Sequence, residues 1–243
     1  MTMDGTLWVA YPDLDGRLLE GVLPDGSTGP TTRPECGADE EIGAFVLLDD
    51  GFVISWSGET ISATSPAPTG RKAIAGPGQF LIGSQGYGAF TTGRFGRDGA
   101  ESARWAGHGA MLVDKNGSIS GPELENHLPS RSRFRRLASD NTLVDGPALT
   151  GYYTSYPAMD CEGTMVFWRD GKLLAVDADL AGRELFAMDD SRAVIGRALL
   201  LSGGSVVVSL DNEVLVFRTP LGPLAEGPWP CGGGNLRGNP LLS

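Results

Sequence analysis

The chain is short of the residues that announce chemistry. It holds 2 histidines and 3 cysteines in 243 residues. Cys36, Cys161 and Cys231 stand far apart, so no CxxC spacing exists for zinc or for a redox pair. Three separated cysteines read as reduced thiols. Basic residues are outnumbered, 19 Lys and Arg against 30 Asp and Glu, for a net charge of −11. That balance argues against a nucleic-acid partner, a local basic patch excepted, and it favours a basic protein partner. No apolar run approaches the ~18 residues that cross a membrane. The start, MTMDGTLWVA, has neither the basic flank nor the long apolar stretch of a signal peptide. A soluble, cytoplasmic chain without a membrane partner is expected.

Long helical periods are missing as well, because glycine and proline interrupt most windows that would hold one. Glycine is abundant instead, 36 residues, about twice its usual ~7% share. Glycine in that number, with no collagen period, predicts many tight turns between short strands.

The turns recur in one context, an apolar run, a turn and a second apolar run. MVFWRDGKLLAV (165–176) lies on VVVSLDNEVLVF (206–217), with Asp170-Gly171 on Asp211-Asn212. Both pairs suit the positive φ values of a type I′ hairpin. The same unit is predicted at Asp15-Gly16, Asp50-Gly51, Gln85-Gly86 and Asn116-Gly117. The turns are spaced roughly 30–55 residues apart, the period of a propeller blade. A lone hairpin cannot bury both faces of its sheet, whereas blades stacked radially can. The central runs are apolar at nearly every residue, as a strand covered on both faces requires.

The predicted fold is therefore an all-β propeller of about six blades, with a β-sandwich or β-helix as the alternative. It forms one domain over 1–243, closed through its N- and C-terminal segments. The longest interval, Gly117 to Gly171, allows a seventh blade. It is read instead as one irregular or insertion-bearing blade at about 110–156. A Gly-rich C-terminal segment occupies 222–243.

No constellation reads as a catalytic centre. His108 in AGHGA and His127 in ENHLP carry no nucleophile motif, and no G-x-S-x-G elbow exists. PDLDG (12–16) begins like a calcium loop but lacks the remaining ligands, and a hairpin turn explains it. CGGGNLRG (231–238) has no G-K-[ST] for phosphate. No catalytic, metal or cofactor residue is assigned, and the chain is read as a non-enzyme.

The local exception to the acidity is SRSRFRRL (130–137). On a strand, Arg131, Arg133 and Arg135 share one face, and Arg136 follows on the other. One reading is an edge strand protected by charge. The functional reading is a contact surface for an anionic partner. GYYTSYP (151–157) adds Tyr152, Tyr153 and Tyr156 as a second candidate surface, since aromatics serve interfaces well.

The stretch YPAMDCEGTMVFWRDGKLLAVDADLAGRELF resembles the repeat of the PQQ-like (quinoprotein-dehydrogenase-like) β-propeller superfamily. The matching positions are Pro157, Ala158, Asp160, Gly163, Thr164, Asp170, Gly171, Leu173, Ala175 and Asp177. Gly182 comes one residue late, and Phe186 stands where Trp is usual. The tail PLAEGPWPCGGGNLRGNP resembles terminal segments that help join first and last blades in that group. The resemblance covers about 157–240. It implies a propeller, and not the quinone: cofactor-binding members carry a vicinal cysteine pair and calcium carboxylates, and this chain has no adjacent cysteines. A cofactor-free member is expected. Its expected function is a non-enzymatic interaction module that binds a protein partner, as a subunit of a larger assembly or as an immunity or regulatory protein. The alternative is an enzyme or small-ligand binder using the central channel.

Overall fold

A computed structural model of the chain describes residues 6–13, 16–32, 46–47, 53–54, 72–86, 89–96, 100–127, 130–150, 155–188, 196–210 and 212–232. Six antiparallel sheets follow one another along it. The first holds β1 (Leu7–Asp13), β2 (Gly16–Val22) and β3 (Thr28–Thr32), and the second β4 (Val46–Leu47) and β5 (Val53–Ile54). The third holds β6 (Lys72–Gly76), β7 (Gln79–Gly86), β8 (Ala89–Gly96) and β9 (Glu101–Ala106). The fourth holds β10 (His108–Gly109), β11 (Leu112–Val113), β12 (Ile119–His127), β13 (Ser130–Leu137) and β14 (Leu143–Leu149). The fifth holds β15 (Ala158–Met159), β16 (Met165–Arg169), β17 (Lys172–Val176) and β18 (Gly182–Ala187). The sixth holds β19 (Leu199–Leu200), β20 (Ser205–Leu210) and β21 (Glu213–Arg218). The sheets are meanders, each one blade of the repeat; in the fourth, β10 and β11 both pair with β12 and together form a split innermost strand.

Strand β16 shows why the apolar runs are unbroken. All five of its residues are buried. Met165 and Phe167 pack into a core shared with the third and fourth sheets, while Val166 and Trp168 pack into one shared with the sixth. The period of two sends alternate side chains to opposite faces, and here both faces are covered. Phe167 stacks on Phe134 of β13 at 6.3 Å, and Trp168 stacks on Phe217 of β21 at 5.9 Å. Aromatic bodies thus join the fourth, fifth and sixth sheets in series.

Asp170-Gly171 is the predicted type I′ turn. Asp170 has φ 51° and Gly171 φ 73°, closing the pair Arg169↔Lys172. Other predicted turns shift. Gly86 still belongs to β7 and pairs with Ala89, so that connection lies after Gln85-Gly86. Gly16 already opens β2 opposite Asp13. Asp15, Asp50-Gly51 and Asp211 lie outside the described residues.

Asn116-Gly117 is a hairpin of another kind. It joins the innermost strand β11 to β12, where Val113 pairs with Ile119. Its counterpart in the fifth sheet is therefore Asp160–Gly163, not Asp170-Gly171. The central connection of the fourth sheet falls between His127 and Ser130. Counted this way, the central connections recur about every 40 residues, and the long interval from Gly117 to Gly171 comes from matching two different turns. Strand β13 lies between β12 and β14, so it is an interior strand and not the charge-protected edge considered above.

The C-terminal segment runs along the inner edges of two sheets. Cys161 N–H donates to Pro223 O at 2.8 Å, Ala225 N–H to Met159 O at 2.8 Å, and Met159 N–H to Pro230 O at 2.9 Å. Val113 N–H donates to Trp229 O at 2.9 Å. Trp229 is buried in the core of the third to fifth sheets. Residues 1–5 and 233–243, where the ring would close, lie outside the described residues.

Candidate functional site

Antiparallel alternation sorts the loops onto two faces. First-to-second and third-to-fourth strand turns share one face. Second-to-third turns and the connections between sheets share the other.

The turn face carries one recurring device. Asp114 Oδ1 accepts N–H groups from Asn116 and Ser118 at 2.8 and 2.9 Å. Asp160 Oδ1 accepts from Glu162 and Thr164 at 3.0 and 2.8 Å, and Asp177 Oδ1 from Asp179 and Ala181 at 3.0 and 2.8 Å. Each aspartate satisfies the backbone of its own turn. The buried Asp160 does more, because its Oδ2 accepts the N–H of Gly222 at 3.0 Å and ties the C-terminal segment to the fifth sheet.

Between the fourth and fifth sheets this face opens into a cleft of about 400 Å³. Arg136, Ser120, Lys115, Asp160, Cys161 and Leu224 are among its walls. Arg136 donates from Nε to Ser120 Oγ at 3.2 Å and from Nη1 to the carbonyl of Ala178 in the next sheet. It is a clamp between sheets that also presents its guanidinium to the cleft.

The sequence-predicted arginines separate into different roles. Arg131 is exposed near the start of β13. Arg133 and Arg135 do share a face, and both reach Asp145 of β14, at 3.2 and 2.8 Å. Arg135 goes further into the protein. Its Nη1 donates to Ala106 O at 2.7 Å and lies 3.7 Å from Glu123 Oε2. Glu123 is buried and accepts the indole N–H of Trp105 at 2.9 Å. Gly107 has φ 103°, which side chains rarely adopt, and a Cβ there would stand 2.7 Å from that Oε2, so a substitution is strained. Arg94 makes a similar crossing, donating to Gly117 O at 3.3 Å. Arg94, Arg135 and Arg136 thus each tie one sheet to the next, while Arg133 pairs within its own sheet.

The opposite face carries the aromatic candidate. Tyr156 is 41% exposed, although its backbone is held firmly. Its N–H donates to Gly196 O at 2.7 Å and its carbonyl accepts from Ala198 N–H at 2.8 Å. Tyr152 and Tyr153 lie outside the described residues. Alternation places Arg131, beside the connection from β12 to β13, on this same face. Behind it, Arg169 is buried and donates to Thr150 O; burial draws its guanidinium down to about 10, against a smaller raising effect from Asp170, so it stays protonated at neutral pH.

Among the described residues no group of three or more His, Cys, Asp or Glu is placed to hold a metal ion. Sequence reasoning missed the Glu123–Trp105–Arg135 tie and the Asp160 bond to Gly222. Neither has a local signal, because Glu123 and Trp105, and Asp160 and Gly222, meet only through pairing between distant parts of the chain.

Neither a protein-family model nor a curated protein matches the sequence. Among solved structures, the chain is similar to the Dos1 propeller, with 12% identity and a TM-score of 0.59 over 90% of this chain and 67% of that one. It is also similar to XC5397 of Xanthomonas campestris, described as a gluconolactonase, with 17% identity and a TM-score of 0.49 over 90% of this chain and 72% of that one. A third similarity is to virginiamycin B lyase from Staphylococcus aureus, with 13% identity and a TM-score of 0.42 over 90% of this chain and 68% of that one. Identity this low speaks to fold and not to activity; the likeness to the Dos1 propeller, with the six successive sheets, makes the chain an all-β propeller of about six blades.

Proposed function

We propose that the chain is a non-enzymatic propeller that binds a protein partner through the face carrying Arg131 and Tyr156. The observation that carries this reading is Tyr156, 41% exposed on a backbone fixed at both its N–H and its carbonyl. A large side chain on a rigid mount loses little conformational freedom on binding, and tyrosine and arginine are the residues that most often dominate interface energy. A second point supports the reading. The inner edges of the fourth and fifth blades, where a channel enzyme would gather its groups, are occupied by the chain's own segment 223–232. The partner is a subunit of a larger assembly or a protein that the chain regulates. The repeat over 157–240 favours a cofactor-free relative of the PQQ-like propellers.

Affinity capture from the source cells at low salt tests this. The wild-type chain retains a protein that Tyr156→Ala and Arg131→Glu lose. Retention unaffected by both substitutions counts against the assigned face, and no retained protein counts against the function. A second reading, small-ligand binding, is favoured by the cleft beside Arg136. It predicts a ligand whose binding is lost in Arg136→Ala and unchanged in Tyr156→Ala.

A further inference from the structure

Polar groups inside a folded chain are nearly all matched, so unmatched donors beside an opening mark where a ligand acceptor fits. The cleft between the fourth and fifth sheets has such a wall. Arg136 is half-buried and meets no carboxylate among the described residues, whereas Arg104, Arg133 and Arg135 each meet one. Its Nε and Nη1 donate to Ser120 Oγ and Ala178 O. Those two bonds fix the plane of the guanidinium and leave Nη2 with no acceptor among the described residues. Ser120 lines the same cleft and is only 6% exposed. Its oxygen accepts from Arg136, and its own hydroxyl hydrogen has no acceptor among the described residues. Lys115, on the turn between β11 and β12, adds an exposed ammonium that makes no ion pair among them.

The aspartates of the cleft are engaged elsewhere. Asp114 turns Oδ1 to two backbone N–H groups, and Asp160 turns its two oxygens to three. Donors are therefore left over on the fourth-sheet side, and an oxyanion is the group that matches them. Its charge is limited by its surroundings. The cleft is lined by two bases, Lys115 and Arg136, and by four acids, Asp114, Asp160, Glu162 and Glu226. Repulsion from the acids grows with the charge of the ligand, so a single carboxylate is favoured over a multiply charged ion such as phosphate. A carboxylate also suits the planar guanidinium. Met159, Leu224 and Ala225 supply apolar wall for a short hydrocarbon tail. The volume of about 400 Å³ lies within the roughly 300–1,000 Å³ of small-molecule sites.

We propose that this cleft binds a small monocarboxylate with an apolar tail, its carboxylate held by Arg136 Nη2, the Ser120 hydroxyl and Lys115 Nζ. Such a ligand presupposes the small-ligand reading of the cleft and gives it a chemical class. It leaves the tie between the sheets intact, because Arg136 Nε and Nη1 keep their protein acceptors. The cleft opens on the turn face, away from the face carrying Arg131 and Tyr156.

Titration of the isotope-labelled full chain with hexanoate, followed by amide chemical shifts, tests the proposal. Hexanoate is expected to saturate, to shift the Ser118, Ser120 and Cys161 amides, and to slow alkylation of the exposed Cys161, which lines the cleft. Hexanamide and hexylamine, equal in length but without the negative charge, are expected to bind at least about tenfold more weakly, and so is inorganic phosphate. Arg136→Ala is expected to abolish hexanoate binding. Because Arg136 also ties two sheets, Lys115→Glu is the companion variant: it leaves that tie alone and is expected to weaken binding with unchanged melting. Tyr156→Ala is expected to bind as wild type. Hexanoate that never saturates overturns the proposal, and so does hexanamide that binds equally well or hexanoate binding that survives both Arg136→Ala and Lys115→Glu. Phosphate or hexylamine bound in place of hexanoate, and lost in Arg136→Ala, overturns the carboxylate while the small-ligand reading stands. If none of the four probes shifts the cleft amides, both fall.

Discussion

Asp160 and Cys231 are two polar side chains whose surroundings hold them out of reaction. Asp160 spends both carboxylate oxygens on three backbone N–H groups. Asp160→Ala leaves those donors without their acceptor and is expected to cost about 2–4 kcal/mol, on the scale of buried hydrogen bonds to charge. Asp160→Asn is expected to recover only part of it, because an amide that keeps its oxygen on the turn presents its NH₂ to Gly222 N–H. Urea denaturation of the two variants measures both. Cys231 is buried, and burial pushes its thiol up to about 11, against a smaller lowering effect from Arg197. The reactive species is the thiolate, so Cys231 is expected to stay unalkylated in the native protein at pH 8 while the exposed Cys161 is labelled. Mass spectrometry after native iodoacetamide treatment reads the difference. Labelling of Cys231 is expected only as pH rises towards 11 or the chain unfolds.

At the scale of an element, β13 separates what sequence can tell from what it cannot. Its alternation was legible: Arg133 and Arg135 share a face, and Phe134 is buried on the other. Its position in the sheet was not, because charge on alternate residues looks the same on an edge strand and on an interior strand whose arginines reach the next blade. The turns divide in the same way. Asp170-Gly171 was legible because both residues adopt positive φ, a local property of the dipeptide. Asn116-Gly117 has an equally good local signal but joins a different pair of strands. Which strands a turn joins depends on pairing far along the chain, and local propensity does not encode it. The candidate face was legible in Tyr156, whereas the roles of Arg135 and Arg136 rest on Glu123, Ala106 and Ala178, remote in sequence. The four arginines should therefore differ sharply. Arg135→Ala removes the guanidinium that lies 3.7 Å from the buried Glu123 carboxylate and is expected to destabilise by about 3–5 kcal/mol. Arg131→Ala, at an exposed site, is expected to stay within ~0.5 kcal/mol of wild type. Chemical denaturation of the two variants decides whether the basic stretch is one patch or a set of separate ties.

Across the whole molecule, cohesion comes from two kinds of join between successive blades. Apolar stacking runs through Phe134, Phe167, Trp168 and Phe217. The C-terminal segment then bonds the inner strands of the fourth and fifth blades after the chain has left the sixth. A propeller is a repeat protein, and in an open repeat array each unit depends only on its neighbours. Segment 223–232 breaks that rule by making the fourth blade depend on residues that follow the sixth. Trp229 is its anchor, buried among the side chains of the third to fifth blades and bonded to Val113 in both directions, at 2.9 and 3.3 Å. Trp229→Ala removes a large buried side chain and is expected to cost about 3–5 kcal/mol. The distinguishing measurement is where the loss appears. If the segment is a long-range tie, native-state hydrogen exchange of the variant shows reduced protection at Val113, Met159 and Cys161, whose N–H groups it accepts, spread over two blades. If Trp229 only fills space locally, protection falls at Val113 alone and the Met159 and Cys161 amides exchange as in the wild type.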